Sequence, residues 1–163
     1  MTSMPNLLTL SNLLCGMAAI AISINGDWAI ACLLILACVF FDVADGWIAR
    51  RLGQETKFGA FFDSAADFVS FGLAPVFIFH AAKKNLGLSV VLGLVFYVIA
   101  SAFRLIRFHA EKQATGTDRF HGLPTTASAL IFVSTLWVAP SAWTLWILSL
   151  LMISRIPFTR FFS

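Results

Sequence analysis

No charged residue lies between Asn6 and Ile24, none between Trp28 and Phe41, none between Leu86 and Phe103, and none between Leu123 and Ile153. Runs of that length constrain the fold more than any other feature of the chain. Lipid offers the backbone no hydrogen-bond partner, so a long apolar run must satisfy its own N–H and C=O groups, which a helix does. At ~20 residues per crossing, a chain of 163 residues holds about six spans and leaves no room for a separate soluble domain. Composition agrees: 60% of residues are hydrophobic and 12% charged, against about a quarter charged in soluble domains. The expectation is an all-α integral membrane protein, a bundle of six transmembrane helices, with residues 1–163 forming one domain.

Turn signals set the boundaries. Helix one is expected from about Asn6 to Ile24, ending at Asn25-Gly26-Asp27, and helix two from about Trp28 to Arg50. A short loop, Arg51 to Lys57, leads to helix three, about Gly59 to Ala82. Lys83-Lys84-Asn85 turns the chain into helix four, about Leu86 to His109. The longest polar stretch, Glu111 to Gly122, precedes helix five, Leu123 to Val138. Ala139-Pro140-Ser141 then leads to helix six, Trp143 to Ile153.

Basic residues orient these helices. With the N-terminus cytoplasmic, Arg50, Arg51, Lys57, Arg104, Arg107, Lys112, Arg119, Arg155 and Arg160 fall inside, and only Lys83 and Lys84 fall outside. Both termini are therefore expected in the cytoplasm, in the cell's inner membrane. The net charge of +3 suits a protein beside anionic lipids, and no nucleic-acid signature is present. Cys15, Cys32 and Cys38 form neither a disulfide framework nor a zinc pattern and read as packing residues. The first apolar run lacks a basic leader and reads as a retained helix.

Four carboxylates interrupt this apolar background within one stretch. Asp42 and Asp45 are spaced i, i+3, and Asp63 and Asp67 i, i+4, so each pair shares a helix face. The pairs flank one loop on the expected cytoplasmic side. Like charges this close need protonation or a counter-ion. Oxygen-only donors favour a hard cation, Mg²⁺ or Mn²⁺. Two such ions, about 3.5 to 4 Å apart, would clamp a pyrophosphate, which points to a phosphate-bearing substrate with a lipid part. Gly46 and Gly59 permit close approach of a ligand or a helix. Arg50 stands ready to neutralise a phosphate oxygen or to snorkel as a membrane anchor. Asn6, Thr9, Ser11 and Asn12 either cap and pack helix one or turn a polar face towards the site.

The spacing Asp42-x2-Asp45-Gly46-x2-Ala49-Arg50-x8-Gly59-x3-Asp63-x3-Asp67 resembles the signature of the CDP-alcohol phosphotransferases, with all eight positions present. The resemblance implies a six-helix membrane fold, commonly homodimeric, that transfers a phosphatidyl-type group from a CDP-linked lipid to a small alcohol and releases CMP. It also implies two divalent cations, Mg²⁺ or Mn²⁺, held by Asp42, Asp45, Asp63 and Asp67, with Asp67 as general base. Candidate contacts to the CDP moiety are Asn6, Thr9, Gly46, Ala49, Arg50, Thr56 and Gly59.

Further stretches are similar to the bacterial and archaeal phosphatidylserine synthase branch: Met4-Pro5-Asn6 through Gly16, Lys57-Phe58-Gly59 through Pro75, Arg104 to Phe108, Phe120 to Pro124, and Ser154 to Pro157. Thr125-Thr126 departs from that branch, which often has proline and alanine there. The implied substrates are CDP-diacylglycerol and serine. Arg104 and Arg107, at i, i+3, would present guanidinium groups to a carboxylate or phosphate, or anchor a helix end. Ser70 would line the pocket or pack between helices. The alternatives are another acceptor, glycerol 3-phosphate or an inositol phosphate, and, from another class, an ion transporter. Acids clustered at one face count against a through-pathway.

Overall fold

The structure is a computed structural model and describes residues 4–52, 57–83, 86–115, 123–138 and 142–154. Its elements are α1 (Met4–Ile24), α2 (Trp28–Leu52), α3 (Lys57–Asp67), a π-helical segment (Phe68–Leu73), α4 (Ala74–Ala82), α5 (Leu88–Thr115), α6 (Thr125–Val138) and α7 (Ala142–Ile153). No strand occurs among the described residues. Among the described residues, four stretches are long and apolar enough to cross a membrane: Asn6–Ile24, Trp28–Ile48, Gly59–Ala82 and Leu88–Phe108. The two remaining apolar helices, Thr125–Val138 and Trp143–Ile153, are shorter. At 1.5 Å per residue, α6 extends about 21 Å, less than the hydrocarbon thickness of about 30 Å. Large apolar side chains stay exposed along these helices, among them Leu7, Leu14, Leu33, Phe40, Phe61, Leu92 and Ile106. Such broad apolar faces suit contact with lipid, and the chain is an integral membrane protein.

The chain divides into two compact units, Met1–Lys84 and Asn85–Ser163. In the first, α1 ends in a turn that explains its sequence. The Gly26 N–H bonds the Ser23 carbonyl at 2.9 Å, and the Asp27 N–H bonds the Ile22 carbonyl at 3.3 Å. This is the Schellman pattern, and Gly26 carries the left-handed φ of 97° that it requires. The Asp27 carbonyl then accepts the Ala31 N–H and starts α2. The tight turn folds α2 back along α1. Thr9, Asn12, Gly16, Ala19 and Ser23 form the buried stripe of α1; Ala31, Ile35, Cys38 and Asp45 continue it on α2. Both stripes follow the helical period and are built mostly of small or polar side chains, the means by which helices pack closely without a hydrophobic drive between them. At the far end of α2, the Arg51 guanidinium lies 4.9 Å from the centre of the Trp47 ring.

Helix three, expected as one regular α-helix, is continuous from α3 to α4 but contains the π-helical turn. The Ala74 N–H bonds the Val69 carbonyl, a step of five residues. Pro75 supplies the reason. It has no N–H to return to the preceding turn, and its ring crowds the carbonyl four residues back. Widening that turn accommodates the ring, and π-turns of this kind recur at functional sites.

In the second unit, α7 packs against α5 and α6. Leu94, Tyr97, Ser101, Arg104 and Leu105 make the buried stripe of α5. The Tyr97 ring sits 5.0 Å from that of Phe132, and its hydroxyl lies 3.2 Å from Ser128 Oγ. Helix α5 starts at Leu88, two residues later than expected, and runs to Thr115, six residues further. Its extension, Ala110–Thr115, contains Glu, Lys and Gln, good helix formers that carry no apolar periodicity.

Candidate active site

The hairpin of α1 and α2 and the start of the third helix bring three of the four predicted acids together, and Asp45 is not among the three. Asp42 on α2 and Asp63 and Asp67 on α3 each offer a carboxylate oxygen, and these oxygens all lie within 4.8 Å of one another. The i, i+4 spacing on α3 aligns Asp63 above Asp67, and α2 brings Asp42 alongside. Asp42 and Asp63 are half-buried. Asp45 lies one turn beyond Asp42 and is 4% exposed. Thr9 Oγ1 donates to its Oδ2 at 2.8 Å, tying the beginning of α1 to the end of α2.

Asp67 is held from the same stripe of α1. Asn12 Nδ2 donates to Asp67 Oδ1 at 3.2 Å. The Asn12 carbonyl accepts Ser70 Oγ at 3.1 Å and Cys38 Sγ at 3.6 Å. Asn12 was legible only as one polar residue among four on α1. Its position three residues after Thr9, on the same face, was the signal that both serve the acidic pairs.

The other expected site residues fall as follows. Asn6 is half-buried in the first turns of α1, and Gly46 and Gly59 are half-buried on α2 and α3. Ala49 and Arg50 belong to α2, but their side chains lie outside the described residues, as does Thr56 altogether. Ser70 is fully buried, with its hydroxyl on the Asn12 carbonyl. Arg104 and Arg107 belong to the second unit. Arg104, 7% exposed, donates from Nη1 to Thr125 Oγ1 at 2.8 Å. Arg107 donates from Nη1 to the Ile153 carbonyl at 2.9 Å and from Nη2 to the Ser154 carbonyl at 3.2 Å, closing the C-terminus of α7.

Three carboxylate oxygens at this range fit a hard divalent cation. Their mutual repulsion is relieved by a bound double charge, and every donor is oxygen. Helices long and apolar enough to cross a membrane that carry such a cluster define a class of membrane protein with an acid-lined site able to hold a metal ion.

Comparison with known proteins gives the class a family. Residues 2–158 match the family model described as CDP-alcohol phosphatidyltransferase. The chain is 32% identical to an archaetidylserine synthase of Methanothermobacter thermautotrophicus, over 97% of its own length and 70% of the relative's. It is 35% identical to a CDP-diacylglycerol–serine O-phosphatidyltransferase of Helicobacter pylori, over 79% of its own length and 55% of that protein's. A protein of the same name from Bacillus subtilis is 31% identical, with 99% of this chain and 92% of the relative covered. The chain thus spans little more than half of some curated relatives and nearly all of others. It belongs to the CDP-alcohol phosphatidyltransferase family.

Proposed function

We propose that this protein transfers the phosphatidyl group of CDP-diacylglycerol to L-serine, giving phosphatidylserine and CMP. The observation that carries the reading is the meeting of the Asp42, Asp63 and Asp67 oxygens within 4.8 Å, in a chain whose residues 2–158 match the family model. The names of the serine-using relatives support the choice of acceptor.

In this reading, Asp42, Asp45, Asp63 and Asp67 hold two divalent cations, Mg²⁺ or Mn²⁺. When bound, these supply Lewis-acid stabilisation of charge on the pyrophosphate. The chain's own groups do the rest. Asp67 takes the proton of the serine hydroxyl, because an alcohol is a weak nucleophile until a positioned base removes it. The freed oxygen forms a bond to the phosphatidyl phosphorus, the bond from that phosphorus to CMP breaks, and CMP leaves with the electron pair. Gly46 and Gly59 let the diphosphate approach the helix backbone, and Arg50 neutralises one of its oxygens. Asn6, Thr9, Ala49 and Thr56 complete the proposed CDP contacts. Ser70, Arg104 and Arg107 are proposed for the acceptor, an assignment that the KM for serine tests.

The proposal places six crossings in the cell membrane, both termini and the site on the cytoplasmic side, and two copies of the chain in a homodimer among membrane lipids. The deciding experiment is an acceptor panel: purified protein, CDP-diacylglycerol, Mg²⁺ or Mn²⁺, and serine, glycerol 3-phosphate or an inositol phosphate, read by CMP release. Serine alone is expected to support turnover. Turnover with glycerol 3-phosphate but not serine overturns the acceptor, and CMP release with none overturns the reaction.

A further inference from the structure

Asn12 is completely shielded from solvent on the stripe of α1 that faces the acidic site. A carboxylate only accepts hydrogen bonds, so the amide nitrogen is the end that must face Asp67 Oδ1, at 3.2 Å. The other end of the amide, Oδ1, is buried and has no hydrogen-bond partner among the described residues. Buried side-chain amides ordinarily satisfy both ends. A residue serving only to join helices would gain by satisfying the oxygen too; here the side chain is committed to the carboxylate at the expense of its own acceptor. Its backbone is fixed from two directions, by Ser70 Oγ from the π-helical segment and by Cys38 Sγ from α2. One turn on, Gly16 allows that approach. A β-carbon at Gly16 would fall 2.9 Å from the Ser70 Cα and closer still to its Oγ.

We infer that Asn12 is a positioning residue for Asp67. Its amide pins Oδ1 and so fixes the rotation of the carboxylate and the direction of its second oxygen, while Ser70, Cys38 and the Gly16 contact fix Asn12 itself. The inference rests on the proposed transferase reading, in which Asp67 is the base.

The test compares the full-length protein with Asn12→Leu, which keeps the shape and removes both ends of the amide, and with Asn12→Ser, which is too short to reach Asp67. Turnover of CDP-diacylglycerol and serine, thermal unfolding, and Mn²⁺ binding followed by electron paramagnetic resonance are measured for each. The expected result is a kcat lower by on the order of 10-fold to 100-fold, as when the partner of a site carboxylate is lost. The KM for CDP-diacylglycerol should stay within about twofold, since an interaction that acts on the chemical step leaves ground-state binding alone. Mn²⁺ binding should weaken severalfold. A kcat unchanged in a folded variant overturns the inference, as does a rise in KM alone. Failure of both variants to fold makes Asn12 a packing residue and overturns it equally. If the wild-type protein itself releases no CMP, the transferase reading fails, and Mn²⁺ binding still reports whether Asn12 orders the cluster: unchanged affinity in the variants overturns its role.

Discussion

Thr9 and Asp45, 36 residues apart, share a 2.8 Å hydrogen bond between the hydroxyl and Oδ2 in the buried seam of α1 and α2. The Schellman turn at Gly26 reverses the chain between them, and the small residues of both stripes let the helices close. The bond fixes one carboxylate of the motif before any ligand arrives. Replacing Thr9 by Val keeps the shape and removes the donor. Activity is expected to fall on the order of 10-fold to 100-fold, because outer partners of site carboxylates set their orientation. Thr9→Ser should retain most of it. Equal activity in Val and Ser variants would show that the hydroxyl does nothing for Asp45.

The carboxylate cluster makes a second expectation direct. Chelation should stop CMP release, and Mg²⁺ or Mn²⁺ should restore it. Asp42→Asn and Asp63→Asn each turn one of three carboxylates, whose oxygens lie within 4.8 Å of one another, into a neutral amide and should lose Mn²⁺ binding together with turnover. Asn keeps the size of Asp but lacks its charge, so folding should survive: removing one of several crowded like charges relieves repulsion. A variant that binds Mn²⁺ with wild-type affinity would exclude its carboxylate from the metal site.

Gly16 and Ser70 mark a close approach of α1 to the π-helical segment. Gly16→Ala places a methyl group 2.9 Å from the Ser70 Cα. The helices must separate, at a cost of about 1–3 kcal/mol as for other overpacked interiors. The unfolding temperature should drop. Adding Ser70→Gly removes the Ser70 side chain and should recover part of the loss, leaving only the backbone contact. A double variant no more stable than Gly16→Ala alone would mean that the strain lies elsewhere.

The helical segments and the two acidic pairs are legible from local signals. Apolar runs define the segments, Asn25-Gly26-Asp27 stops α1 where the structure stops it, and i, i+3 and i, i+4 spacing puts each pair on one face. The features that were not legible depend on how helices meet. The π-turn follows from Pro75 inside a segment that membrane packing keeps helical, whereas in isolation Pro75 reads equally well as a kink. The extension of α5 to Thr115 rests on helix propensity without apolar period. The Asn12–Asp67 bond joins positions 55 residues apart, and only the register of α1 against α3 decides it.

Arg107 yields the last expectation, and one that separates two roles. Its terminal guanidinium nitrogens donate to the Ile153 and Ser154 carbonyls, which the end of α7 leaves without intrahelical donors. A cation at a helix C-terminus is favoured by the helix dipole as well. Losing two charge-assisted hydrogen bonds to partly buried carbonyls should cost about 1–3 kcal/mol. Arg107→Ala is therefore expected to lower the unfolding temperature clearly. Arg107→Lys should fall between, since one ammonium replaces a fork of two donors. If anchoring α7 is the whole of its role, the KM for serine stays near the wild-type value in both variants once the folded fraction is accounted for. A rise in that KM with no loss of stability would instead assign the guanidinium to the acceptor's carboxylate. Arg104 offers the internal comparison: its Nη1 donates to Thr125 Oγ1 at the start of α6, so Arg104→Lys should leave the end of α7 intact while loosening α5 from α6.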